Sequence, residues 1–113
     1  MAYSAARTEK CLRLYCSKTM TPEGRVKVKL KRALKTLPQQ YQFWPVQSGL
    51  GAATLDCLLC FNGEFIGIET KALGKKMTER QQLTAKAINA AGGRVFLIDG
   101  DVSLQYFLRM LDK

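Results

Sequence analysis

The stretch LDCLLCFNGEFIGIETK, residues 55–71, decides the fold. Asn62-Gly63 between two apolar runs is the strongest short-range signal for a tight β-hairpin. Pairing outward from that turn sets Phe61 against Glu64 and Leu59 against Ile66, and brings Asp56 directly opposite Glu69 on one face of the sheet. Residues directly opposed across a ladder have Cβ atoms about 4.5–5.5 Å apart, and like charges placed that way destabilise it. The strand period of two adds Lys71 to the face of Glu69. Two acids and a lysine gathered in this way point to a bound cation. The register is the same for a two-residue or a four-residue loop; a one-residue bulge breaks it.

The rest of the chain arranges itself around this hairpin. Residues 1–20 read as an arm or a short helix, and residues 21–113 as one domain. Thr21-Pro22-Glu23 opens a helix, with Thr21 as N-cap, Pro22 at the first helical position and an acid in the first turn. Val26, Leu30, Ala33, Leu34 and Leu37 form its apolar stripe, and Pro38 marks its stop. Residues 41–47 read as a strand, irregular near Pro45, and Ser48-Gly49-Leu50-Gly51 as a loop. The hairpin strands span approximately 53–61 and 64–71. Gly74-Lys75-Lys76 leads to Thr78, which opens a second helix with apolar Leu83, Ala87, Ile88 and Ala91, stopped by Gly92-Gly93. Val95 to Ile98 is a short apolar run expected to be a strand buried on both faces. A last helix follows, with Leu104, Phe107, Leu108 and Leu111 on one side. The order α-β-β-β-α-β-α predicts an α/β domain with a mixed central sheet of about four strands flanked by helices.

Composition narrows the partners. The 113 residues are enough to bury a core without disulfides or a structural metal. No apolar run approaches the roughly 20 residues of a membrane span, and the first residues lack a signal-peptide core. A soluble, cytoplasmic protein without a membrane partner is expected. Net charge is +9, from 18 Lys and Arg against 9 Asp and Glu. Residues 1–36 carry a large share of that excess, including Arg25, Lys27, Lys29, Lys31 and Arg32 of the first helix, against Glu9 and Glu23. Such a surface suits a polyanion, and nucleic acid binds it largely through counterion release. Lys75, Lys76 and Arg80 extend the candidate DNA-binding set. The cysteines, Cys11, Cys16, Cys57 and Cys60, are read as small hydrophobes in a reducing compartment rather than as a zinc site. Cys57 and Cys60 fall at an odd spacing on one strand, and the chain has no His.

A pair of carboxylates beside a lysine suits metal-assisted phosphodiester hydrolysis. A hard cation such as Mg2+ or Mn2+ takes oxygen ligands and is commonly held by one or two carboxylates plus substrate phosphate. Asp56 and Glu69 supply such ligands, and Lys71 is placed to orient water and offset phosphate charge. Glu23, three and seven residues before Val26 and Leu30 on one helix face, points towards the sheet. It reads either as a ligand, directly or through water, or as a first-turn acid favoured by the helix dipole. Gln81 completes a capping box with Thr78, reaches the substrate or its water, or does both.

These residues in this order, Thr21-Pro22-Glu23, Ser48-Gly49 to Leu55-Asp56, Gly67 to Lys71, Thr78 to Gln81 and Gly92-Gly93, resemble the PD-(D/E)XK nuclease superfamily. More narrowly, the chain is similar to the small stand-alone virus-type replication-repair nuclease domains, VRR-NUC, of phages. The similarity covers roughly residues 21–100. It implies a restriction-endonuclease-like core, Mg2+- or Mn2+-dependent cleavage of DNA without an organic cofactor, and relatedness to Holliday junction resolvases that act as homodimers on branched duplexes. It implies Asp56, Glu69 and the Thr70 backbone carbonyl as metal ligands, Lys71 as the catalytic lysine, Gln81 as the helix glutamine and Glu23 as the first-helix acid. The position before the motif aspartate is often proline in the family and is Leu55 here. A non-catalytic DNA-binding module that keeps the fold is the alternative, and a basic phage protein that inhibits a host factor is a third reading.

Overall fold

In the computed structural model, residues 20–46 and 54–111 are described. Gln47, the 48–51 loop, Ala53 and the N-terminal arm with Cys11 and Cys16 lie outside them. Helix α1 (Pro22–Leu34) begins as the sequence predicts: Thr21 Oγ1 accepts from Gly24 N at 3.0 Å, with Pro22 in the first turn. It ends four residues short of Pro38, where Thr36 N and Leu37 N bond three residues back, the tighter spacing common at helix ends.

Strands β1 (Gln40–Phe43), β2 (Cys57–Phe61), β3 (Glu64–Thr70) and β4 (Arg94–Ile98) form one sheet in the order β1-β2-β3-β4. The first three are antiparallel, and β4 joins β3 in parallel. The hairpin has the expected register, Phe61 against Glu64 and Leu59 against Ile66. Its turn has φ 53° at Asn62 and 82° at Gly63, positive at both positions as the I′ turn requires. β1 stops at Phe43, before Pro45, which has no N–H to give a ladder.

Helix α2 (Glu79–Ala90) and helix α3 (Asp101–Leu111) complete the α-β-β-β-α-β-α order. α1 and α3 cover one face of the sheet. Val26, Leu30 and Leu34 from α1 and Leu104, Phe107 and Leu111 from α3 bury against Cys57, Leu59, Ile66, Ile68 and Ile98. Phe96 and Phe107 meet edge-on at 4.9 Å. α2 covers the opposite face, where Ile88 packs over Gly67 and Gly93. It closes with a Schellman motif, Gly93 N to Ile88 O and Gly92 N to Asn89 O, with Gly92 at φ 99°.

Three expectations change here. The α2 face turned to the sheet comprises half-buried Gln81, Thr84, Ala85 and Ile88, while Leu83 is 65% exposed and Ala87 and Ala91 face out. Gln81 is drawn inward by a polar partner, which rotates the helix away from its Leu83 stripe. β4 is half-buried rather than buried on both faces, because it is the last strand of the described sheet. Cys57 is buried but Cys60, on the opposite face, is exposed, because α2 does not extend over β2 there; both are free thiols.

Candidate active site

The hairpin ladder runs through Cys57 and Ile68 and then stops, and at that open end the site is built. Asp56 sits in a bend. Its backbone N–H, the next donor of the ladder, goes to Glu69 Oε1 at 3.2 Å. Its side chain turns to the neighbouring strand, where Asp56 Oδ2 accepts from Thr70 N at 3.0 Å and Thr70 Oγ1 at 2.6 Å. Leu55 takes the other side of the sheet: its Cδ1 lies 2.8 Å from where a Cβ on Gly67 would be, beside Ile88. The two acids therefore converge as expected, but not as side-by-side neighbours on one face. The bend exchanges the faces of Leu55 and Asp56, and glycine at 67 leaves room for it.

Glu69 is 1% exposed. Its Oε2 accepts from Gln81 Nε2 at 2.8 Å and lies 3.4 Å from Lys71 Nζ. Burial, with Asp56 adding repulsion, pushes its carboxyl up to about 7, against the opposing pull of Lys71. Gln81 does two jobs. Its Oε1 accepts from Thr78 N and its N–H donates to Thr78 Oγ1, closing the capping box, while its amide nitrogen holds Glu69. The cap fixes the start of α2, and so fixes that donor.

Lys27 reaches this centre from α1, its Nζ 3.8 Å from Asp56 Oδ1. The sequence marks it only as a candidate DNA contact, since helical spacing gives no sign of which lysine faces a distant aspartate. Thr70 is a second such case: its hydroxyl clamps Asp56, a role its place in the Glu-X-Lys triplet does not reveal. Glu23 is half-buried in the first turn of α1. Among the described residues no third His, Cys, Asp or Glu joins Asp56 and Glu69. Cys57 borders the site as a thiol pushed up to about 12 by burial and then by Asp56, which leaves it inert as a nucleophile or ligand.

The other basic residues have varied settings. Lys29 pairs with Asp101 at 3.1 Å, Lys31 lies over the Trp44 ring at 4.7 Å, and Arg32 is half-buried. Arg25, Lys75, Lys76 and Arg80 are exposed. Lys75 and Lys76 follow Lys71 in the loop into α2, so they stand at the same end of the sheet as the acids.

The chain is thus an α/β domain, a mixed four-stranded sheet between helices with an acid-lysine cluster where the hairpin opens. The same fold occurs in a solved structure described as a VRR_NUC domain, with a TM-score of 0.67 and 21% identity, over 80% of this chain and 97% of that one. No family profile matches the chain, nor does any curated protein. No helix among the described residues is long and apolar enough to cross a membrane.

Proposed function

We propose that this chain is a PD-(D/E)XK-type endodeoxyribonuclease of the VRR-NUC kind, which hydrolyses phosphodiester bonds with Mg2+ or Mn2+. The observation that carries this reading is Glu69: a carboxyl 1% exposed, placed against a second acid and held by a lysine and an amide. Burying two acids together is costly unless something offsets it, and clustered, perturbed groups of this sort mark functional sites. The donor set fits a hard divalent cation. All its donors are oxygen, and Asp56 Oδ1 has no hydrogen-bond donor among the described residues.

Asp56 and Glu69 would hold the ion, with the Thr70 carbonyl as a further ligand and Glu23 acting through water. An ion held there would supply Lewis-acid polarisation of the scissile phosphate and of the attacking water. Thr70 fixes the Asp56 carboxylate through two bonds, and Gln81 fixes Glu69, so neither acid must reorganise when substrate arrives. Lys71, only partly exposed and paired with Glu69, orients the attacking water and offsets charge gathering on the phosphate. Arg25, Lys29, Lys31, Arg32, Lys75, Lys76 and Arg80 hold the DNA backbone.

The substrate in this reading is branched duplex DNA of the Holliday-junction or flap type, cut by a homodimer in the cytoplasm. Tyr41, Phe43 and Phe65 support the dimer: they lie on the α2 side of β1–β3 and are exposed there. A second copy packing on that face would cover them and present two sites. Light scattering of Phe43→Lys protein should then show monomer where the wild type shows dimer. Purified protein is to be incubated with junction, flap and linear duplex DNA and Mg2+ or Mn2+, beside Glu69→Ala protein. Cleavage by the wild type alone supports the nuclease. Equal cleavage by Glu69→Ala refutes the assigned centre. Binding with steep salt dependence and no cleavage would establish the non-catalytic module instead.

A further inference from the structure

The α1 lysines do not share one role. Lys29 is engaged by Asp101 and Lys31 by the Trp44 ring, whereas Lys27 alone reaches the acid pair. Beside the buried stripe of Val26 and Leu30, its Nζ stops 3.8 Å from Asp56 Oδ1. That is beyond hydrogen-bond length, so the contact is Coulombic and yields easily. Asp56 Oδ2 is already committed twice to Thr70, which leaves Oδ1 as the aspartate oxygen open to another partner.

Charge makes the consequence plain. Each acid has its own lysine, Lys27 for Asp56 and Lys71 for Glu69, and the four charges sum to zero only when both acids are ionised. Two cations cannot share Asp56 Oδ1 at contact distance without strong repulsion. We propose that Lys27 is a place-holder on Asp56 Oδ1 that gives up this oxygen to a divalent cation and then binds the scissile phosphate. Its side chain suits the exchange: it is 35% exposed, with a flexible four-carbon stem and a compact charge. With Lys27 displaced but still at the mouth of the site, the centre gains positive charge, which is what a phosphodiester needs. The proposal rests on the nuclease reading and adds to it a residue outside the Glu-X-Lys triplet.

The test is calorimetric titration of Mn2+ into DNA-free wild-type, Lys27→Met, Lys27→Gln and Lys31→Met proteins, with circular dichroism to verify folding. Both Lys27 variants should bind Mn2+ about three- to tenfold more tightly, from loss of a competing, partly screened charge. Lys31→Met should tighten binding less than either Lys27 variant, since its charge sits over the Trp44 ring and not beside Asp56 Oδ1. At saturating Mn2+, the Lys27 variants should cut DNA at least about tenfold more slowly, since a charge on the phosphate is lost. Unchanged or weaker Mn2+ binding in the Lys27 variants overturns the proposal, as does equal tightening in Lys31→Met. Undiminished cleavage overturns the transfer to phosphate. Wild-type protein that binds no Mn2+ refutes the nuclease reading and this proposal together, whereas a wild type that binds and cuts confines any failure to Lys27.

Discussion

If Glu69 is a metal ligand, its displaced proton must show in the binding equilibrium. The carboxyl is pushed from 4.5 up to about 7 by burial and by Asp56, so near neutrality it holds a proton that a cation has to replace. With a single site of pKa about 7, roughly nine-tenths of the protein is protonated at pH 6 and one-tenth at pH 8, which weakens Mn2+ binding about tenfold at the lower pH. Calorimetry in two buffers of different ionisation enthalpy counts the protons released, and close to one per ion is expected near pH 6. Affinity that is flat between pH 6 and 8, without proton release, would refute the reasoning. The linkage also acts on folding without metal. The native state holds this proton more tightly than the unfolded chain, so stability is greatest below about pH 4.5 and declines as pH rises to about 7. The shift corresponds to something on the order of 3 kcal/mol. Glu69→Gln protein should therefore be more stable than wild type at pH 8 without metal, lose that advantage near pH 5, and show little Mn2+-dependent rise in Tm.

Three further predictions follow from the packing. Thr70→Val removes the 2.6 Å hydroxyl bond to Asp56 without changing side-chain shape; a loss of about 1.5–3 kcal/mol in chemical denaturation and weaker Mn2+ binding are expected. Gly67→Ala places a Cβ 2.8 Å from Leu55 Cδ1 and 3.0 Å from Ile88 Cδ1; overpacking should cost about 1–3 kcal/mol, and because Leu55 precedes Asp56, Mn2+ affinity should fall with it. Phe107→Ala empties a fully buried position against Phe96 and should cost about 3–5 kcal/mol in urea denaturation.

The parts legible in the sequence are those set by local chemistry. Asn62-Gly63 admits one turn type, and the turn dictates the hairpin register down to Cys57. Thr21-Pro22 and Gly92-Gly93 mark helix ends through their own backbone preferences. The stripes on α1 and α3 bury as their spacing indicates, because a sheet face lies beneath each. The illegible parts depend on contacts between distant segments. Hydropathy assigned α2 to Leu83, but the bond from Gln81 to a buried acid turned the helix. Pairing rules carried Asp56 one step past the point where the ladder ends, since they do not register a side-chain oxygen taking the place of a backbone one. Lys27 was one of several similar cations until the fold brought it to Asp56.

The bend at Asp56 changes how an inactive variant should be interpreted. Glu69 takes the N–H of Asp56, and Asp56 takes both the N–H and the hydroxyl of Thr70, so each acid is held by the other's strand. Removing the Glu69 carboxylate releases the backbone N–H of Asp56, and replacing Asp56 frees the residue beside Glu69. Silence in either alanine variant therefore speaks for the pair. Single and double replacements should be far from additive, with the second substitution costing little once the first is made. In this protein the proposed metal ligands and the closing rungs of the hairpin are the same residues.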